Sequence, residues 1–277
     1  MRPMRAFFGR APPAPEPNGG WYNTGLVLVV FIAVGIVVVA RTKWLLKEEP
    51  YELRNLLLSV GVKLKRITKT TKEIERKLFH CLGLLVPYVY YYLSSRHAWS
   101  KRDCVTLCGA ITAAGVAFDY VRAYVVPSIN DRWPVYTILR PEERTRLCGC
   151  SYFSLGSTLA IACAQRPAVA VTALIYLALG DTAAALVGVA FGGETLTLGP
   201  DRRKSIEGSF AMFVTCAGVC YCAFPDVYLV EYAAVASALT ATLVEVYQPL
   251  GVNDNLSIPV LSAVSLDLAL TRIGAPR

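Results

Sequence analysis

The sequence predicts an all-α protein, a polytopic transmembrane helical bundle of about eight spans (about seven to nine). Of its 277 residues, 55% are hydrophobic and only 17% are charged, and the mean hydropathy is +0.45. Soluble domains contain about 25% charged residues, so this deficit indicates that lipid forms part of the solvent. Apolar stretches close to the ~20 residues needed to cross a bilayer core occur at 22–42, 78–95, 104–126, 149–165, 167–191, 209–225, 228–248 and 257–275.

The order of polar and apolar stretches divides the chain into four predicted segments. Residues 1–21 are rich in proline and lack an apolar core, which predicts a disordered tail and no cleavable signal peptide. Residues 22–46 form a first transmembrane anchor. Residues 47–77 form a basic amphipathic segment outside the membrane, and residues 78–277 form a membrane-embedded domain.

The basic segment indicates how the chain is oriented. Between Arg41 and Lys77 lie eleven Lys and Arg residues against five acids. Such a segment beside a span is expected to be cytosolic, both by the positive-inside rule and by attraction to anionic lipid. Apolar residues at helical spacing within 53–69 favour a helix on the membrane surface, while a solvated linker helix is the alternative.

If 41–77 is cytosolic, alternate threading of the spans brings nearly all polar clusters to the same membrane face. Ionisable groups inside spans are energetically costly and usually line a wet cavity or a site. We therefore expect one active site facing the cytosol. The clusters contain Arg76, Lys77, Asp119, Arg122, Arg140, Glu142, Glu143, Lys204, Ser205, Glu207, Gly208, Glu245, Asp254 and Asn255.

Asp181 is the most informative of these residues. It is the one charged residue between Arg166 and Glu194, within an apolar stretch of membrane-spanning length. Gly180 predicts a break in the span 167–191, after which Asp181 can cap the helix that follows. A lone carboxylate here predicts a cation-binding role, because Mg²⁺ that carries phosphates needs carboxylate ligands.

Small residues follow Asp181 at every fourth position, at Ala184, Gly188 and Gly192. They predict a helix face that another helix backbone or a nucleotide can approach closely. Ordinary helix packing explains the small residues, and nucleotide binding remains open beside it.

The stretch DRRKSIEGS at 201–209 predicts an anion-binding element. Arg202, Arg203 and Lys204 suit phosphate oxygens, although they also fit a positive-inside anchor. Ser205 can cap the next helix and leave free amides for an anion. Glu207 lies in the first turn of that helix, where a carboxylate is favoured without any ligand.

These residues together resemble the CTP-binding pattern DxxAxxxGxxxG…KKTxEG of the dolichol kinase family. Asp181, Ala184, Gly188 and Gly192 match its first part, and Lys204-Ser205-x-Glu207-Gly208 matches its second. The gap between the two parts is slightly longer here. Arg203 stands where the family has its first lysine, and Ser205 stands where it has threonine.

The similarity continues in order along roughly 73–270. Full dolichol kinases are longer, and this short form looks most like the CTP-dependent diacylglycerol kinases of fungal type, and next like the phytol and farnesol kinases of plastids. The HGG and DR signature of the related CDP-diacylglycerol synthases is absent, which argues against cytidylyl transfer. The further matching elements are Arg76-Lys77-Leu78-Phe79-His80, Asp119-Tyr-Val-Arg122, Arg140-Pro-Glu-Glu, and Glu245 with Asp254-Asn255-Leu-Ser-Ile-Pro259.

The resemblance implies transfer of the γ-phosphate of CTP to a lipid hydroxyl, with Mg²⁺ or another divalent cation as cofactor. It implies catalytic roles for Asp181, Asp119, Arg76 and Lys77, with Asp119 as candidate general base, and metal ligands at Asp181, Asp254 and Glu207. The residues that it assigns to the nucleotide are Ala184, Gly188, Gly192, Arg203, Lys204, Ser205, Glu207, Gly208 and Asn255.

The acceptor lipid is left open among diacylglycerol, which would give phosphatidate, and a polyprenol or phytol. More distant alternatives are a phosphatidate cytidylyltransferase, a membrane transporter and a scaffold protein. The expected partners are CTP, the acceptor lipid and the phospholipid bilayer, with no nucleic acid and no predicted oligomeric state. We expect the membrane to be that of the endoplasmic reticulum or nuclear envelope, or alternatively a plastid envelope.

Overall fold

The computed structural model describes residues 50–96, 99–132, 139, 141–193, 196 and 204–275. The predicted tail 1–21 and the predicted anchor 22–46 lie outside these residues. The described part of the chain contains no β-strand, which confirms the predicted all-α class. Its helices are α1 (Pro50–Ser59), α2 (Ile67–Cys81), α3 (Leu85–Arg96), α4 (Lys101–Tyr120), α5 (Gly149–Cys163), α6 (Pro167–Ile175), α7 (Asp181–Phe191), α8 (Ile206–Ala223), α9 (Val230–Tyr247) and α10 (Asp254–Arg272).

Four of the described helical segments are long and apolar enough to cross a membrane: Lys101–Val125, Pro167–Phe191, Ile206–Ala223 and Val230–Tyr247. They correspond to four of the predicted spans. The predicted total of about eight is not confirmed. The predicted span 22–42 lies outside the described residues, and α5 at 149–163 is too short to cross a bilayer core by itself. The helix α10 is more polar, with Asp254 and Asp267 in its sequence.

The predicted span 78–95 is not one straight helix. It starts within α2 and continues through a short 3-10 turn at Leu82–Leu84 into α3. Pro87 lies in the first turn of α3, where its missing amide proton and its ring are tolerated, whereas in a helix interior they would break the hydrogen-bond ladder. At this joint Gly83 lets the ring of Phe153 approach to 2.7 Å from the place where a Cβ would stand.

The core is built around the long helical segment Pro167–Phe191. Its first half is buried on nearly every side, and Val169, Tyr176 and Leu177 have no exposed surface. The helices α8, α9, α10, α5 and α4 pack against one another in that order, while α7 packs on α8 and on α2. Because α2 contacts the bundle through α7, it can carry polar side chains to the middle of that segment.

Large apolar side chains remain exposed on the outer faces of the spans. They recur at helical spacing, so each helix presents an apolar stripe outward. Soluble monomers rarely expose such extended apolar surface. This is a membrane protein, and these stripes are compatible with contact to lipid. The exposed residues are Tyr232, Val235, Leu239 and Leu243 on α9 and Phe210, Val214 and Tyr221 on α8.

The close contact between α5 and α10 requires the absence of a side chain at Gly156. The first prediction tests this requirement. A Cβ at Gly156 would stand 2.5 Å from the carbonyl oxygen of Asn255 and 2.8 Å from the Cα of Leu256, both backbone atoms that cannot turn aside. Gly156→Ala should therefore lower the melting temperature in detergent, since overpacking costs about 1–3 kcal/mol. Gly115→Ala is the matched control, because Gly115 on α4 has open space around it. The control should gain about 0.5–1 kcal/mol in helix stability. Equal melting temperatures for the two variants would contradict the packing described.

Candidate functional site

The helix α2 brings Lys77 to Asp181 of α7. Lys77 Nζ lies 2.5 Å from Asp181 Oδ2, and the two residues are only 4% and 7% exposed. His80, one turn further along α2, has its Nε2 atom 3.3 Å from the same carboxylate oxygen and 3.3 Å from the carbonyl oxygen of Leu177. Since both neighbours are acceptors, Nε2 carries a proton.

The predicted break at Gly180-Asp181 is wrong. The chain stays helical through a π-helical segment, Tyr176–Gly180, that runs directly into α7, and Asp181 has ordinary right-handed helical dihedral angles. Its side chain makes no capping hydrogen bond. Gly180 is required for packing, because a Cβ there would lie 2.6 Å from Cys216 Sγ on α8. The carboxylate is also neutralised within the chain by Lys77, so a bound cation is not the sole explanation for its charge.

Lys204 lies between two further carboxylates, those of Glu245 and Asp254. Its ammonium donates to Glu245 Oε1 on α9 and lies 3.9 Å from Asp254 Oδ2 at the start of α10. Burial disfavours the charged ammonium, but Glu245, Asp254 and also Asp181 outweigh it and raise the pKa of Lys204 above its ordinary value. Lys204 is therefore positively charged at neutral pH.

Glu245 retains an unused acceptor. Its Oε2 atom is buried and has no hydrogen-bond partner among the described residues, although the residue itself is only 3% exposed. An unsatisfied buried acceptor is energetically costly, so this oxygen is available to a donor or a cation. The sequence analysis places Glu245 in a motif without a role. Like Asp181, Glu245 is an acid within an apolar stretch, and this feature of the sequence marks it as a candidate site residue.

The first turn of α10 links this group to α5. The side chain of Asn253 caps α10 by accepting from the amide of Asn255. The Asn255 side-chain amide donates to the carbonyl oxygen of Gly149 at 3.4 Å. The N-termini of α5, α8 and α10 are therefore connected through Asn255, Asp254 and Lys204. Helix N-termini favour anions, which makes this side of the group suited to phosphate oxygens.

Asp119 is placed differently from the prediction. Its Oδ1 accepts from the guanidinium of Arg122, which confirms the expected i,i+3 pair. Its Oδ2 accepts from the amide of Cys148 and from the hydroxyl of Ser151, each at 2.7 Å. Both oxygens are thus occupied in a buried position.

The role of Asp119 as general base stays a prediction; in this structure both of its oxygens accept hydrogen bonds from within the chain. The pair instead holds the segments between α4 and α5 against the bundle. Arg122 completes this role by donating to three further oxygens, on Asn130, Glu143 and Arg146.

The small-residue face of α7 is filled by α8. A Cβ at Gly208 would lie 2.7 Å from the carbonyl oxygen of Ala184, and Cβ atoms at Gly188 and Gly192 would lie 3.2 and 2.8 Å from Ser205 Oγ. Helix packing therefore accounts for the small residues Ala184, Gly188, Gly192 and Gly208, and their assignment to the nucleotide stays a prediction. Ser205 caps α8 as predicted, with its hydroxyl accepting from the amide of Gly208 at 3.1 Å.

Glu207 does not join the group of charged residues around Lys204. Its Oε1 accepts from the amide of Gly193 at 2.9 Å, just beyond the end of α7. That contact ties the start of α8 to the end of α7, while Oε2 of Glu207 is buried without a hydrogen-bond partner among the described residues. The predicted role of Glu207 as a metal ligand stays a prediction. Several other predicted residues lie outside what the structure describes, namely Arg140, Arg202, Arg203 and the side chains of Arg76 and Glu142.

Asp267 belongs to a separate structural contact. Its carboxylate accepts from the amide of Gln165 at 2.5 Å and pairs with the guanidinium of Arg166 at 2.9 Å. Arg166 also donates to the carbonyl oxygen of Ala275. Asp267 and Arg166 thus tie the turn before α6 to the last turn of α10 and the residues that follow it.

The carboxylates do not form a ready-made metal cage. Within the described residues, no three His, Cys, Asp or Glu side chains lie close enough together to hold a metal ion. Proteins commonly bind Mg²⁺ through one or two carboxylates while substrate phosphates and water complete the shell. Asp181 beside Lys77 and Asp254 beside Lys204 carry carboxylates that would serve in such a shared shell.

No protein-family model matches the chain, and neither curated proteins nor solved structures gave a match. The resemblance described above therefore rests on its motifs alone.

The Lys77–Asp181 pair gives the second prediction. Lys77→Met should strongly destabilise the protein, by about 3–5 kcal/mol, because it leaves a buried carboxylate without its partner. The double variant Lys77→Met with Asp181→Asn should recover much of that loss, since no charge then remains unpaired. Thermal unfolding of the four proteins of this cycle in detergent measures the coupling. Additive effects of the two substitutions would show that the pair does not stabilise the fold.

Proposed function

We propose that this protein is an integral-membrane lipid kinase that transfers the γ-phosphate of CTP to a lipid hydroxyl. Diacylglycerol is the proposed acceptor and phosphatidate the proposed product, with a polyprenol or phytol as the alternative acceptor. The observation that carries the proposal is the buried group formed by Lys77, Asp181, Lys204, Glu245 and Asp254, which lies within residues that resemble a CTP-dependent kinase motif.

Phosphoryl transfer suits this group because it depends mainly on positioning and on neutralising the charge of the phosphates. Lys77 and Lys204 are paired with carboxylates in the structure. Each ammonium can exchange its carboxylate partner for a phosphate oxygen without leaving its position. The anion-favouring N-termini of α8 and α10 lie on either side of Lys204, and they add dipoles of the same sign.

In the proposed enzyme a divalent cation would be held by Asp181 and Asp254, with Glu245 as the nearby third carboxylate. Its chemistry is to neutralise the triphosphate and the charge that develops during transfer. The protein side chains hold the carboxylates and ammonium groups at fixed positions inside an apolar bundle, where electrostatic interactions are stronger than in water.

His80 replaces Asp119 as the candidate acceptor of the hydroxyl proton. Its Nε2 atom faces two acceptors, Leu177 and Asp181, so the neutral ring carries its free lone pair on Nδ1. Asp119 becomes a positioning residue for the N-terminus of α5. The lipid reaches the site from the bilayer that surrounds the exposed apolar stripes.

The proposed location follows the sequence interpretation. The membrane would be that of the endoplasmic reticulum or the nuclear envelope, with the site facing the cytosol where CTP is present, or alternatively a plastid envelope. The basic residues between Arg41 and Lys77 support the orientation.

The third prediction tests the activity with purified protein, γ-labelled CTP, Mg²⁺ and diacylglycerol. Asp181→Asn should reduce transfer at least ~100-fold, because it removes a charge that binds the cation and orients Lys77. Asp226→Asn is the matched control, since Asp226 lies exposed in the turn between α8 and α9 and should retain full activity.

The double variant Lys204→Met with Glu245→Gln provides a second test in case Asp181→Asn folds poorly, because it leaves no buried carboxylate unpaired at Glu245. It should also abolish transfer while the protein still elutes as a folded species from size exclusion. Activity of the wild type with ATP and none with CTP would overturn the nucleotide assignment. Transfer by both variants at the wild-type rate would overturn the site.

A further inference from the structure

The surface formed by residues 54–65 has properties that the proposed catalytic site does not explain. It comprises the second half of α1 and the turn that follows. Four large apolar side chains project outward from it and are 40–62% exposed, namely Leu56, Leu58, Val60 and Leu64. Nothing in the described part of the chain covers them.

This same surface is strongly basic. Arg54, Lys63 and Lys65 are exposed beside the apolar side chains. From Arg54 to Lys72 the sequence contains six Lys and Arg residues and no acid. A solvated linker helix would not need four exposed apolar side chains, whereas apolar residues beside cations are the pattern of helices at a bilayer surface.

The 54–65 surface is held firmly on the bundle. Gly61, at φ +88°, ends α1 in a left-handed conformation, and the amide of Val62 then donates to the carbonyl oxygen of Leu57 at 2.9 Å. Leu57 and Val62 turn inward and pack with Ala190 near the end of α7. Their inward position leaves the neighbouring apolar side chains on the opposite, outward side.

The position of Ala190 sets the depth of this surface in the membrane. Ala190 is the second-last residue of the span Pro167–Phe191, so the docked segment lies where that span leaves the hydrocarbon. Arg66 confirms the location by donating to the carbonyl oxygen of Ala190 at 3.4 Å. A basic apolar surface at this depth meets lipid headgroups.

We propose that the 54–65 surface docks onto anionic lipid headgroups of the bilayer in which the chain is embedded. Leu56, Leu58, Val60 and Leu64 insert at the boundary between headgroups and acyl chains, and the basic side chains bind the negative phosphates or carboxylates. Attraction to an anionic leaflet is worth about 1 kcal/mol for each Lys or Arg near the surface. Because α2 starts directly after this surface and carries Lys77, the docking also orients the helix that reaches Asp181.

The experiment is hydrogen–deuterium exchange of the full chain in nanodiscs. Discs of phosphatidylcholine alone are compared with discs that also contain phosphatidylserine. Peptides covering 54–65 should exchange about tenfold more slowly in the anionic discs, while peptides from α9 should exchange equally in both. The measurement does not depend on kinase activity, so it stands or fails separately from the proposed function.

Two double variants distinguish the contribution of the basic side chains to this protection from that of the apolar side chains. Lys63→Glu with Lys65→Glu should abolish the difference between the two lipid compositions, whereas Arg102→Glu, an exposed substitution on α4, should preserve it. Leu56→Ser with Leu64→Ser should speed exchange of the segment in both compositions. Equal protection of wild-type 54–65 in both lipids would overturn the proposal and would point instead to a protein segment as the occupant. A lipid dependence that survives Lys63→Glu with Lys65→Glu would overturn it as well.

Discussion

Charge neutralisation inside an apolar bundle is the constraint on which this structure depends. A buried carboxylate without a partner is prohibitively costly in a low-dielectric interior, and so is an unpaired ammonium. Lys77 therefore has to reach Asp181, and Lys204 has to reach Glu245. The first pair holds α2 against α7, although α2 has little other contact with the bundle. The second pair holds the start of α8 against the end of α9. The two ion pairs thus add fixed polar contacts to the packing of α2 on α7 and of α8 on α9.

The Lys204 group differs from the structural ion pairs because its hydrogen bonds are not complete. Structural pairs such as Arg166–Asp267 and Arg122–Asp119 use nearly all their hydrogen-bonding capacity on fixed backbone partners. In the Lys204 group, one oxygen of Glu245 has no partner among the described residues, and Asp254 is only 3.9 Å from the ammonium. One ammonium therefore faces two carboxylates. In the proposed phosphoryl transfer, Lys204 would bind a phosphate while a cation would neutralise the carboxylates.

The sequence was informative where a residue conflicted with its surroundings. Asp181 stands out as a lone charge in an apolar stretch, and the structure pairs it with Lys77. Lys77 lies 104 residues away, and no local pattern specifies such a pairing. For the small residues of α7 the sequence allows both helix packing and ligand binding, and α8 packs on that face. Asp119 accepts hydrogen bonds from Cys148 and Ser151 at the N-terminus of α5, and no periodicity of the sequence predicts this contact.

The helix α2 connects two functions that the sequence presented separately. Its N-terminal end follows the basic apolar surface held on Ala190, and its C-terminal end carries Lys77 and His80 to Asp181. A helix of 15 residues is about 22 Å long and behaves as a rigid rod over that distance. If the 54–65 surface docks on lipid headgroups as proposed, the docking would fix the direction of α2 and with it the position of Lys77 beside the buried carboxylate of Asp181. An enzyme whose proposed substrate is a membrane lipid would in this way have its charged site positioned by the surface from which that substrate comes.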